Sequence, residues 1–128
     1  MSDIHEKAKR ILLVDDDKNT RFVLTQLLGT MGYLVFEAKD AEDAMKWVEI
    51  GPIDLVMTDL KMPKIDGIEL TRVIRKTKPK LPVIVYSGNR YMDTARVALK
   101  AGADEYVAKP FLDIKIRQVV ERLLKEQE

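Results

Sequence analysis

Two acidic clusters placed at the ends of apolar runs are the residues of this chain best suited to chemistry. Ile53-Asp54-Leu55-Val56-Met57-Thr58-Asp59 reads as a buried parallel strand that closes in a carboxylate, and Ile11-Leu12-Leu13-Val14 runs directly into Asp15-Asp16-Asp17. With both strands in one parallel sheet, Asp15, Asp16 and Asp59 emerge together at its carboxyl edge, where open α/β folds bind their ligands. Three carboxylates in one crevice repel each other unless they are protonated or joined by a cation. The pattern therefore predicts a divalent metal site beside a carboxylate free to react. Ser87 closes another apolar run and Lys109 follows a further one, which adds a hydroxyl donor and an ammonium at two more strand ends. Such a set suits phosphoryl chemistry. The metal neutralises phosphate oxygens, Ser87 donates a hydrogen bond, Lys109 supplies a point charge and Asp59 is the nucleophile.

The elements that must position these groups alternate strictly. A strand over about residues 10–14 precedes a helix with Leu24, Leu27, Leu28 and Met31 on one face and Gly29 and Gly32 near its end. Leu34, Phe36 and Ala38 alternate with Val35 and Glu37, and Asp40 is placed to cap a helix whose Ala41, Ala44, Met45 and Val48 share a face. Gly51-Pro52 breaks that helix before the strand of Asp59. Leu70, Val73 and Ile74 mark a third helix, ending before Lys78-Pro79, and an apolar run over 82–86 follows. Ala95, Ala98 and Leu99 continue the pattern to Gly102, a short strand spans about 105–107, and Ile116, Val119, Val120 and Leu123 give a terminal helix. Five strand and helix pairs with short connections predict an α/β fold, a doubly wound five-stranded parallel sheet with helices on both faces.

Composition narrows the function classes. At 128 residues and 46% hydrophobic the chain has the size of one domain with a real core. A net charge of +1 gives no global field to steer nucleic acid or an anionic membrane, so partner choice rests on local patches. With no cysteine, disulfides and thiolate metal sites are excluded. The N-terminal residues carry charges where a signal peptide needs an apolar stretch, and no segment approaches a membrane span; the expected location is the cytoplasm. Residues 1–9 read as a flexible lead and residues 10–126 as the domain.

Taken in order, Leu13-Val14-Asp15-Asp16, Asp59 with Met62-Pro63 and Asp66-Gly67, Ser87, and Lys109-Pro110-Phe111 resemble the receiver domain of bacterial two-component response regulators, along the chain from Ile11 to about Leu124. That resemblance implies a flavodoxin-like, (βα)5 fold of the CheY-like kind. It makes Asp59 the phosphoacceptor and puts magnesium on Asp16 directly, on Asp15 through water, on Asp59 and on the backbone carbonyl of Lys61. Ser87 matches the family's switch hydroxyl, Tyr106 its switch aromatic and Lys109 its lysine. Lys61 and Asn89 fall at the positions that tune phosphoryl lifetime. The phosphodonor would be a sensor histidine kinase or a histidine phosphotransfer protein. The responding surface would be that of the fourth helix, fifth strand and fifth helix, including Arg90, Tyr91, Arg96 and Lys100, and would serve a homodimer or a downstream effector. Gly88 departs from the alanine usual after the switch hydroxyl and should loosen that loop.

Blander roles are assigned beside these. Asp17 suits a helix cap, Trp47 a partly buried packing position, and Asp66-Gly67 a turn; His5, in the lead, is not a phosphorelay histidine. An aspartyl-phosphate hydrolase would use Asp15 and Asp17 as an Asp-x-Asp motif, but Asn19 stands where that family has threonine or valine and there is no room for a cap domain. A degenerate receiver-like module acting without phosphorylation would have lost the acceptor or an acid, and this chain keeps them. The expectation is a switch with no separate substrate, and with no effector segment up to Glu128: a stand-alone receiver or part of a longer regulator.

Overall fold

A computed structural model of the chain describes residues 8–88, 92–110 and 112–125. Most of the expected lead, including His5, therefore lies outside the described residues, as do Asn89, Arg90, Tyr91 and Phe111. The elements run β1 (Arg10–Val14), α1 (Lys18–Thr30), β2 (Leu34–Ala38), α2 (Ala41–Ile50), β3 (Leu55–Asp59), α3 (Gly67–Thr77), β4 (Val83–Ser87), α4 (Met92–Lys100), β5 (Glu105–Ala108) and α5 (Asp113–Lys125). The five strands form one parallel sheet in the order β2-β1-β3-β4-β5, as the strand and helix alternation predicts. The order reverses between β1 and β3, which opens a crevice at the carboxyl ends of those two strands.

Alternation along the central strands divides the core into two layers. Ile11, Leu13, Leu55, Met57, Ile84, Tyr86 and Val107 pack on Leu24 and Leu28 of α1 and on Ile116, Val119, Val120, Leu123 and Leu124 of α5. Leu12, Val14, Val56, Val83 and Val85 pack on Ala41, Ala44 and Val48 of α2, on Leu70 and Ile74 of α3, and on Ala98 of α4. The helices start where polar caps satisfy their free N–H groups. Asp17 accepts from Asn19 N–H and the Thr20 hydroxyl, Asp40 from Asp43 N–H and Asp66 from Glu69 N–H. Trp47 packs tilted against Phe36 with ring centroids 5.0 Å apart, the packing role expected of it. Among the described residues no helix is long and apolar enough to cross a membrane.

Some side chains depart from the expected faces. Val73 and Leu99 belong to the stripes that mark α3 and α4, yet they are exposed, at 37% and 48%, whereas Leu70, Ile74 and Ala98 carry the burial. Successive helix positions are about 100° apart, so a residue beside the contact line falls on the shoulder of the helix. Leu34 is likewise exposed because β2 is an edge strand, covered less fully than the central ones.

Candidate functional site

Asp15 and Asp16 leave the end of β1, and Asp59 is the last residue of β3. Register pairs Val14 with Thr58, so the following residues of the two strands meet at the same edge. Carboxylate oxygens of Asp15, Asp16 and Asp59 all lie within 4.8 Å of one another. Asp15 is fully buried, Asp59 is 8% exposed and Asp16 is exposed. An all-oxygen, carboxylate-rich donor set of this kind fits a hard divalent cation such as magnesium. Lys61 is exposed, and it lines, with Asp16, Leu60, Met62, Pro63 and Asp66, an open cleft of about 520 Å³ beside the acids.

The three acids are held differently. Asp15 accepts from Asp17 N–H at Oδ1 and from the Tyr86 hydroxyl at Oδ2, both at 2.8 Å. Its carbonyl oxygen accepts from Arg21 at 2.6 Å, which ties the loop to α1. Asp17 points away to cap α1, and the Thr20 hydroxyl and Asn19 N–H hold it below the ordinary carboxylate range. Asp59 Oδ1 lies 3.9 Å from Lys109 Nζ, a long ion pair. Burial, and then the Asp15 charge, push Asp59 up to about 6 against the opposing pull of Lys109. Attraction to the lysine is thus outweighed by desolvation and like charge, the condition in which a cation is most favoured.

Ser87 ends β4, is 2% exposed, and its carbonyl accepts from Lys109 N–H at 2.7 Å, joining the β4 and β5 ends. Tyr106 is half-buried against the α2–α4 layer, with Val85 as its register partner. The structure therefore brings Asp15, Asp16, Asp59 and Lys109 together, with Ser87 on the strand between Asp59 and Lys109 and Tyr106 on the neighbouring strand. Asn89 lies outside the described residues.

Two site residues escape the sequence reading. Tyr86 looks like one more member of an apolar run, but it faces Asp59 in register, donates to Asp15, and lies under the Lys109 ammonium, 5.2 Å from its ring centroid. Burial and the adjacent Asp15 push this phenol far above its ordinary range, so it is a fixed donor. The available signal was a phenol in an otherwise aliphatic strand, since a buried tyrosine hydroxyl needs a partner. Gly67 reads as turn chemistry, but its reason is contact. A β-carbon there would overlap the carbonyl oxygen of Asp59, while Gly67 N–H donates to Leu60 O at 2.7 Å.

Known proteins share this sequence pattern and fold. The family model for the response regulator receiver domain matches residues 11–121. The transcriptional regulator NtrC of Azospirillum brasilense is 41% identical over 117 residues, which are 91% of this chain and 24% of that protein. A CheY-like receiver domain from Methanospirillum hungatei superposes with a TM-score of 0.89 at 31% identity, over 94% of this chain and 97% of that one. The response regulator TrrA of Thermotoga maritima, solved in complex with Mg2+-BeF, does so at 0.83 and 36%, over 90% and 98%. The chain spans half or less of the length of the curated relatives it matches. On this match the chain belongs to the response regulator receiver domains, the phosphorylatable signalling modules of two-component systems.

Proposed function

We propose that Asp59 accepts a phosphoryl group from the phosphohistidine of a sensor histidine kinase or histidine phosphotransfer protein, and that the domain responds by changing its binding surface. The observation that carries this reading is the unequal state of the three acids. Asp15 is held by two donors and Asp16 is exposed, whereas Asp59 is buried with its Oδ1 3.9 Å from an ammonium. In the transfer an Asp59 oxygen attacks phosphorus and the P–N bond to the imidazole breaks. Its electron pair stays on the ring nitrogen, which takes up a proton as it leaves. Lys109 draws the charge on the phosphoryl oxygens, and Asp16, Asp59 and the Lys61 carbonyl would hold magnesium, with Asp15 contributing through water. The bound ion supplies positive charge against the carboxylates and phosphoryl oxygens.

Beside Lys109, α1 exposes Phe22 (64%) and Val23 (62%), and a cleft of about 560 Å³ lined by Asn19, Thr20, Val23, Leu24, Lys109 and Pro110 opens there. An apolar shelf next to the reacting group supports docking of a helical phosphodonor. On the readout side, Ser87 and Lys109 receive the new oxygens, and movement of Ser87 gives Tyr106 room to turn. The face of α4, β5 and α5, where Val97 and Leu99 are exposed, then changes and pairs receivers as a homodimer or docks an effector. Lys61 and Asn89 tune how fast water removes the group. This reading puts the domain in the cytoplasm, turning over no separate substrate.

Incubation with acetyl phosphate and magnesium, followed by intact mass and peptide mapping, should show one added phosphoryl group on Asp59. Full labelling of an Asp59→Asn variant at another residue would sink the assignment.

A further inference from the structure

The geometry points to Tyr86 as a positioning residue of the acidic site, fixing the Asp15 carboxylate for the metal and keeping the Lys109 ammonium beside Asp59. The inference rests on the reading that these acids hold magnesium. Tyr86 is fully buried in β4, on the face shared with α1 and α5, directly across from Asp59 in register. Its β4 neighbour on that face, Ile84, is aliphatic and buried in the same layer. The hydroxyl is the addition, and it ends 2.8 Å from Asp15 Oδ2.

Asp15 Oδ1 is held by Asp17 N–H, also at 2.8 Å, so the carboxylate has a donor at each end and cannot turn without losing one. Its remaining lone pairs are thereby aimed at the crevice shared with Asp16 and Asp59. Partners that orient a metal-binding group in this way matter to affinity nearly as much as the group itself. The ring does a second job. Lys109 Nζ lies 5.2 Å from the ring centroid and 3.9 Å from Asp59 Oδ1, so the aromatic face supports the ammonium on the Asp59 side. One side chain thus ties Asp15 by its hydroxyl and Lys109 by its ring.

Phenylalanine separates the two jobs because it keeps the ring and removes the hydroxyl. Magnesium titration followed by amide NMR, whose spectra also report the fold, should give Tyr86→Phe a dissociation constant about tenfold above wild type. Labelling by acetyl phosphate at saturating magnesium should fall by a smaller factor than the affinity does, because the ring under Lys109 remains. In an Asp15→Asn background the same substitution should change affinity by less than about twofold, the limit of independent behaviour. Tyr86→Leu, lacking the ring as well, should label more slowly than Tyr86→Phe; equal rates overturn the Lys109 half of the inference. Unchanged or tighter binding in Tyr86→Phe, with affinity lost in Asp16→Ala, overturns the Asp15 half alone. An equal loss in the Asp15→Asn background marks a packing defect and also overturns it. Affinity unchanged in Asp16→Ala removes the metal reading, and this inference falls with it.

Discussion

Replacing Asp59 by asparagine should stabilise the metal-free domain at neutral pH while abolishing its chemistry. Burial and Asp15 raise Asp59 from 3.8 to about 6. A carboxylate whose folded pKa lies above its unfolded one favours folding when protonated. That contribution is complete below about pH 4 and is lost as the pH rises through about 6. At pH 7.5 the ionised group is therefore a net cost. Each pKa unit is 1.36 kcal/mol, which sets a ceiling of about 3 kcal/mol, and water in the open crevice reduces it to about 1–2 kcal/mol. Asparagine is close to the neutral acid in shape and removes this cost. At roughly 4 °C per kcal/mol for a domain of this size, Tm should rise by about 4–8 °C at pH 7.5 and by almost nothing at pH 4. Thermal unfolding by circular dichroism in chelator, at both pH values, measures the difference; carboxylates remote from the site titrate alike in both proteins and cancel, while relief of Asp15 and Asp16 from the Asp59 charge adds to the gain at pH 7.5. Adding magnesium to saturation at about 100 times its Kd should return about 2.7 kcal/mol to wild type and much less to the variant. No gain at pH 7.5, or the same gain at both pH values, would refute the claim that buried like charge destabilises this site.

Three further substitutions test how the backbone supports the site. Gly67→Ala forces a β-carbon onto the Asp59 carbonyl oxygen, so it should cost about 2–3 kcal/mol in urea unfolding and slow acetyl phosphate labelling, whereas a silent substitution would show that the β3 end yields freely. Gly88 has no positive φ and open space around its missing β-carbon, so Gly88→Ala should stabilise by about 0.4–1 kcal/mol; a loss of stability would show that the loop needs the glycine. Arg75 donates to the carbonyls of Pro79, Leu81 and Gly102 and pairs with Asp104 at 3.2 Å, so Arg75→Ala should cost about 2–3 kcal/mol by leaving those acceptors unmet, read by urea unfolding beside an Arg72→Ala control, whose ion pair is exposed and worth little; equal losses in the two would refute it.

How much of this was legible before any coordinates follows the physics of each element. The central strands carry unbroken apolar runs because both faces are covered, and the acids after β1 and β3 interrupt those runs abruptly, so the sheet and its charged edge can be read together. Asp17, Asp40 and Asp66 could be assigned as caps or turn residues because capping is local in sequence. Exposure of Val73, Leu99 and Leu34 was not legible, since it depends on where a helix shoulder or sheet edge meets its neighbour. Tyr86 was missed for a related reason. Its partners, Asp15 and Lys109, are 71 and 23 residues away in the chain, and only strand order brings them together.

Gly67 and Tyr86 also belong to one backbone path that determines where Asp59 stands. Gly67 N–H donates to Leu60 O at 2.7 Å, and Leu60 N–H donates to Tyr86 O at 2.8 Å. Leu60, the residue following Asp59, is therefore held between the start of α3 and the end of β4. A strand slip of one residue would turn each side chain to the opposite face. In β4 it would exchange Tyr86, which faces α1 and α5, with Ser87, which alternates to the side of α2 to α4 where Tyr106 packs. The group that orients Asp15 and the hydroxyl that ends the strand are thus adjacent in sequence but on opposite faces of the sheet. Their separation depends on the register of Asp59 with Tyr86. A glycine is needed at 67 because the helix must begin close enough to Asp59 for that hydrogen bond to form, and any side chain there would push the carboxylate out of line with both.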